Sequence, residues 1–201
     1  IEQITGSKDY LYKESRYRNI YGKDILLPNL KVNKKLLDTF KSIDFKNDPF
    51  HIKHNIKQPD GSTLVCTYAK GGLHAVSSKF PTVYESDNNY ILYDIDGASY
   101  YPTLKIVNDF FPSHIPEYKP KYVQYKDDRV KLKKDPAMKA EADKLKLMLN
   151  ATYGELLNED SILRDYKAGY SITTNGQLIL TEIIEDLNKV GVIVWYANTD
   201  G

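Results

Sequence analysis

Two periods of hydrophobic residues mark out the elements of this chain. Helical spacing comes first, in "YKESRYRNIYG" (residues 12–22) and, after a Pro-containing loop, in "NKKLLDTFKSI" (residues 33–43). An irregular stretch with "NDPF" and "QPDG" follows, and the Asp60-Gly61 pair signals a turn. "STLVCTYAKGGLHAV" (residues 62–76) is β-branched and apolar, which predicts a hairpin interrupted at Gly71-Gly72. In "NNYILYDIDGASYYP", Tyr90 to Ile95 predict a strand that runs into Gly97 and ends before Pro102. Helical composition returns over 119–154. There "DPAMKAEADKLKLMLNATYG" predicts a helix with Asp135 at the N-cap and Pro136 at its first position. Leu178, Ile179, Ile183, Ile184 and Leu187 recur at helical spacing, with Thr173 or Thr174 as the cap and Gly191 as the stop. The run "VGVIVW" then predicts a strand over 192–197.

This order predicts an α+β fold, a sheet with helices packed on one side and a helical lobe inserted. The expected divisions are 1–60 as a connector, 61–118 and 155–201 as the two parts of the sheet-bearing lobe, and 119–154 as the insertion. Asp96 and Asp200 fall at the ends of two separate strands. If those strands are neighbours, the two carboxylates meet.

Composition changes this picture little. The chain has 201 residues, is 41% hydrophobic and 27% charged, and carries a formal net charge of +1. That is the balance of a soluble globular protein. No stretch approaches the ~18 apolar residues of a membrane span. The single cysteine, Cys66, has no disulfide or metal-site partner, which fits a reducing cytoplasm, and it reads as a half-buried strand residue. Charge is informative only locally. Residues 119–134 hold seven Lys or Arg against two Asp, a cationic surface that suits a polyphosphate and also suits a solvated helix face.

Mg²⁺ binds through one or two carboxylates plus substrate phosphates, so two rigid strand-end aspartates suit phosphoryl transfer. The surrounding residues make this specific. "DGASYYP" (Asp96 to Pro102) resembles the Asp-x-x-Ser-Leu-Tyr-Pro motif A of family B DNA polymerases. "KLMLNATYG" (Lys146 to Gly154) resembles their motif B, Lys-x-x-x-Asn-Ser-x-Tyr-Gly. "YANTDG" (Tyr196 to Gly201) resembles motif C, Tyr-x-Asp-Thr-Asp-Ser. The three occur in the family's order, and "YAKGGLHA" is similar to the Gly-rich segment that precedes the palm.

The resemblance implies an antiparallel palm sheet with packed helices and an inserted helical fingers hairpin. It implies DNA-templated DNA synthesis on primer-template DNA with dNTP. Asp96 and Asp200 would be the catalytic metal ligands, joined by the Gly97 carbonyl, and would hold two Mg²⁺ ions, with Mn²⁺ as a substitute. Ser99, Tyr100 and Tyr101 would wrap the triphosphate, and the Tyr101 ring would exclude a 2′-hydroxyl. Lys146, Asn150 and Tyr153 share a helix face and would contact the incoming nucleotide, with Leu147, Met148 and Leu149 anchoring that helix. Arg129 and Lys133 are further triphosphate candidates, with Lys131 and Lys134 as rivals. Lys70, Gly71, Gly72 and Gly154 would approach DNA. His74 reads as structural.

The chain departs from the family pattern at three places in motifs B and C. Asn198 stands where motif C usually has its first aspartate, Gly201 where it has serine, and Ala151 where motif B has serine. Asp94, two residues before Asp96 and so on the same face of a strand, is a candidate to restore the charge missing at Asn198. An ordinary strand-edge aspartate is the alternative. Only 50 residues separate Asp96 from Lys146 and 47 separate Tyr153 from Asp200, which favours a compact phage- or mobile-element-type member. The chain stops one residue after Asp200, so it is expected to be a piece that is inactive alone and works in the cytoplasm, with any replication accessory proteins unspecified. A degenerate palm kept as a DNA-binding or scaffolding module is the alternative, favoured by Asn198. A reverse transcriptase or RNA polymerase palm is disfavoured by the Tyr101 gate.

Overall fold

The computed structural model describes residues 20–45, 50–81, 85–88 and 90–201. The predicted helix at 12–22 lies almost wholly outside them. The fold is α+β, with five α-helices and one four-stranded antiparallel sheet among the described residues. The described residues divide into two compact units, Tyr21–Tyr100 with Thr173–Gly201, and Ile20 with Tyr101–Ile172.

The sheet unit begins with α1 (Lys34–Ser42), which starts where its cap dictates: Asn33 Oδ1 accepts from the N–H groups of Lys35 and Leu36 at 3.0 and 3.3 Å. Leu36 and Phe40, four residues apart, face inward. Strands β1 (Ile52–Lys57), β2 (Thr63–Ala69) and β3 (Gly72–Ser77) form a meander, and β4 (Tyr196–Asn198) adds to the outer side of β3. Alternation sorts their faces: Leu64, Cys66, Tyr68, Leu73, Ala75 and Ala197 point in, while Val65, Val76 and Tyr196 point out. The rings of Phe40 and Tyr68 meet edge to face at 5.3 Å. Burial pushes the Cys66 thiol up to about 12, so it is an inert core residue.

The turn predicted at Asp60-Gly61 is present, with Gly61 at φ 77°. So is the hairpin around Lys70-Gly71, and Gly72 has φ 149°, which side-chain-bearing residues rarely adopt.

The strand predicted over Tyr90–Ile95 does not form. Those residues have no strand assignment and lie exposed. A strand exists only through its partner's hydrogen bonds, and no described strand pairs with this run.

In the helical unit, α2 (Tyr100–Val107) leads to a hairpin of α3 (Tyr118–Leu132) and α4 (Lys139–Leu157). Asp135 caps the turn between them, accepting from Ala137 N–H at 2.9 Å, with Pro136 opening a 3-10 turn ahead of α4. Ile115, Tyr118, Tyr122, Leu149, Ile162 and Leu163 form one core, and Leu156, Ala168 and Ile172 a second. Of the three expected helix anchors only Leu149 is fully buried. Leu147 is 73% exposed, because it falls on the opposite face of α4.

Helix α5 (Tyr166–Lys189) is longer than the sequence predicts. Its start is set by Asp165, whose Oδ1 accepts from Ala168 N–H at 2.9 Å, and not by Thr173 or Thr174. Those threonines are buried inside the helix. A little further along, Asn175 accepts from Leu27 N–H and donates to the Ile25 carbonyl, both at 2.8 Å, pinning the 25–27 loop.

Lys105 is an unexpected core residue. It is 2% exposed, and its ammonium lies 4.4 to 5.0 Å from the ring centroids of Tyr122, Tyr118 and Phe111 and donates to the Tyr118 hydroxyl at 3.0 Å. Burial pulls its pKa down to about 7. The three ring faces act in the opposite sense by favouring the cation. Above the folded-state value the unfolded chain binds the extra proton, so this residue makes stability rise with pH from about 7 towards the lysine value of 10.5. Lys105→Met is expected to flatten that slope and to raise stability near pH 7 by about 1–4 kcal/mol. Urea unfolding at several pH values measures both. An unchanged slope would show that the cage keeps the lysine charged.

Candidate functional site

The predicted catalytic aspartates both belong to the sheet unit, and the structure brings their turns together. Strand β4 pairs antiparallel with β3 in the register His74↔Asn198, Ala75↔Ala197 and Val76↔Tyr196. Upstream, buried Gln58 accepts from Val194 N–H at 2.7 Å and donates to the Ser62 and Ser77 hydroxyls, so a side chain from the first hairpin guides the chain into β4. No motif marks Gln58 as part of this support.

Beyond β4 the chain turns sharply. Asn198 N–H donates to the Gly201 carbonyl at 2.6 Å and Gly201 N–H returns to the Asn198 carbonyl at 3.2 Å. These two bonds close a two-residue hairpin turn with Thr199 and Asp200 at its tip. Thr199 sits at φ 60°, a conformation costly for a β-branched residue, and its N–H donates to the Leu73 carbonyl at 2.8 Å. The "KGGLH" segment is therefore scaffold for the Asp200 turn. Thr199 also donates its hydroxyl to Asn198 Oδ1 at 3.1 Å.

The Asp96-Gly97 turn lies against this tip. Gly97 N–H donates to the Asp200 carbonyl at 2.8 Å. A Cβ on Gly97 would sit 2.8 Å from that same oxygen. One on Gly201 would sit 2.7 Å from the Ile95 carbonyl oxygen and 3.6 Å from Asp96 Oδ1. Both glycines are thus needed for the approach. Ser99, three residues after Asp96, is also in the left-handed region, at φ 51°. Backbone strain of this kind concentrates at functional sites.

Asp96 and Asp200 are exposed and offer hard oxygen donors, which suits Mg²⁺ or Mn²⁺. Among the described residues no group of three or more His, Cys, Asp or Glu is arranged to hold a metal, so the candidate centre is this pair with nearby carbonyls. Asp94 is exposed in the unpaired 90–95 run, so its expected alignment with Asp96 along a strand has no basis in the fold.

Tyr100 differs from its expected use. Its N–H donates to the Gly97 carbonyl at 3.1 Å and its hydroxyl to the Gly176 carbonyl of α5 at 2.7 Å, so both donors serve the protein itself. Pro102 is the third residue of α2, where no N–H is required.

Most of the remaining candidates lie in the helical unit. Lys146 and Asn150 are exposed one turn apart on α4. Tyr153, one turn further, is half-buried, with its ring 6.2 Å from that of Tyr101 and tilted by 30°. Tyr101 itself packs against Leu156, Ala168 and Ile172, which fixes its ring. Arg129 and Lys133 end α3, joined by a bond from Lys133 N–H to the Arg129 carbonyl. Gly154 is exposed on α4, with nothing within 4 Å of an added Cβ, and Gly71 has the same open surroundings. Lys70 lies at the exposed β2–β3 turn.

No helix among the described residues is long and apolar enough to cross a membrane. No family model, curated protein or solved structure matches this chain.

Proposed function

We propose that this chain carries the palm and fingers core of a DNA-templated DNA polymerase of the family B type. The reaction joins a dNTP to a primer 3′-hydroxyl: the 3′-oxygen bonds to the α-phosphorus, the bond to pyrophosphate breaks, and the hydroxyl proton is lost. The observation that carries this proposal is the contact between the two aspartate turns, made by Gly97 N–H and the Asp200 carbonyl at 2.8 Å. Residues 103 positions apart in the chain are joined there, as two carboxylates serving one reacting phosphate require.

Bound Mg²⁺ would supply charge neutralisation and a more acidic 3′-hydroxyl. Asp96 and Asp200 would hold it, with the Gly97 carbonyl as a further oxygen. Lys146, with Arg129 and Lys133 as further cations, would offset phosphate charge. Asn150 would hydrogen-bond to the nucleotide. The fixed ring of Tyr101, backed by Tyr153, would act as a wall against a 2′-hydroxyl. The outward sheet face, with Lys53, Lys57, Val65, Val76 and Tyr196, suits a nucleic acid, since it combines cations with an exposed ring.

The intact protein carrying this chain is expected to extend a labelled primer on a DNA template when given dNTPs and Mg²⁺, and EDTA is expected to stop it. Retention of DNA without metal-dependent extension would favour the scaffolding alternative that Asn198 suggests.

A further inference from the structure

The hydrogen bonds of Tyr100 set it apart from the nucleotide-contacting role that its motif position suggests. Its ring lies on Gly97: a Cβ added there would meet Tyr100 Cδ2 at 3.0 Å and Tyr100 Cβ at 3.1 Å. Its hydroxyl spans 76 positions of sequence to reach the Gly176 carbonyl at 2.7 Å. Gly97 in turn donates to the Asp200 carbonyl. A continuous path therefore runs from the middle of α5 through the Tyr100 ring and Gly97 to the Asp200 turn. The motif A resemblance has leucine at this position, and leucine has no donor with which to make such a tether.

We propose that Tyr100 is a positioning residue: by anchoring Gly97 to α5, it holds the Asp96 and Asp200 turns at the spacing that sets their affinity for a divalent cation. The Asp96-Gly97 turn has no strand behind it, since 90–95 is unpaired. The tether supplies the restraint that a strand ladder would otherwise provide.

The inference rests on Asp96 and Asp200 being a metal pair, and the test separates the two. Mn²⁺ binding to the intact protein is measured by electron paramagnetic resonance, without nucleotide or DNA, for the wild type, Tyr100→Phe, Tyr100→Leu and Asp200→Asn. Loss of one neutral hydrogen bond from the restraint is expected to weaken Mn²⁺ binding by about 3- to 10-fold in both Tyr100 variants. Asp200→Asn is expected to remove the binding. Mn²⁺ affinity within two-fold of the wild type in a folded Tyr100 variant, even with a lowered unfolding midpoint, would overturn the positioning role and leave the metal pair standing. Mn²⁺ binding insensitive to Asp200→Asn would overturn both. If Tyr100→Phe does not fold, Tyr100→Leu, which keeps an apolar side chain, decides.

Discussion

Asp200→Ala is expected to lower Mg²⁺-dependent primer extension by the intact protein at least about 10³-fold while leaving the unfolding midpoint unchanged. The two halves of this expectation come from different atoms of one residue. The backbone of Asp200 is structural: its N–H donates to the Asn198 carbonyl and its own carbonyl accepts from Gly97. Alanine preserves both bonds, and Asp200 is not among the residues with positive φ, so no glycine-like conformation is demanded of it. Its side chain is exposed and packs in neither helical core. Removing the carboxylate therefore takes away charge and metal affinity with little cost to folding. Primer extension and thermal unfolding of the same preparation measure the two quantities. Extension that survives the substitution would remove Asp200 from the active site and the polymerase proposal with it.

Much of the scaffold was legible because it follows local chemistry. Asp60-Gly61 turns, Asp135 caps, and the β-branched and apolar residues of "STLVCTYAKGGLHAV" form a hairpin. The meeting of Asp96 and Asp200 was legible only through motifs, since nothing local in either segment encodes the other. Three features were hidden. The run Tyr90–Ile95 has strand composition, but strand formation depends on a partner and composition does not supply one. The run "SITTNGQ" reads as a helix start because Thr and Asn favour caps. In the fold it is buried mid-helix, where Asn175 binds the 25–27 loop and Tyr68 meets the Thr181 hydroxyl at 2.9 Å. Nothing local in the sequence marks Lys105 as a core residue, and only the three aromatic rings packed around it reveal it. The first miss is a long-range partner that is lacking, and the other two are long-range contacts that local composition does not encode.

The second large effect concerns two glycines. Gly97→Ala and Gly201→Ser are each expected to reduce primer extension about 10²-fold, through displacement of the aspartate turns and not through loss of any functional group. A Cβ on Gly97 meets the Asp200 carbonyl oxygen at 2.8 Å, and a Cβ on Gly201 meets the Ile95 carbonyl oxygen at 2.7 Å. Both obstacles are backbone atoms, so no side chain can rotate away. The turns must separate by several tenths of an ångström, and the bond from Gly97 N–H to the Asp200 carbonyl stretches with them. Serine at 201 is the instructive case, because the motif C resemblance has serine there. A chain with a regular strand leading to its first aspartate can hold that segment at a distance that admits a side chain. Here the 90–95 run is unpaired, and the Ile95 carbonyl comes directly against residue 201. Gly154→Ala is the control: it also adds one methyl group to a glycine of a family-like motif, but nothing lies within 4 Å of its Cβ, and in the interior of α4 it is expected to stabilise by about 0.5–1 kcal/mol. Equal losses of activity at Gly97, Gly201 and Gly154 would mean that these glycines serve DNA contact. Loss confined to the first two would tie activity to the close approach of the aspartate turns.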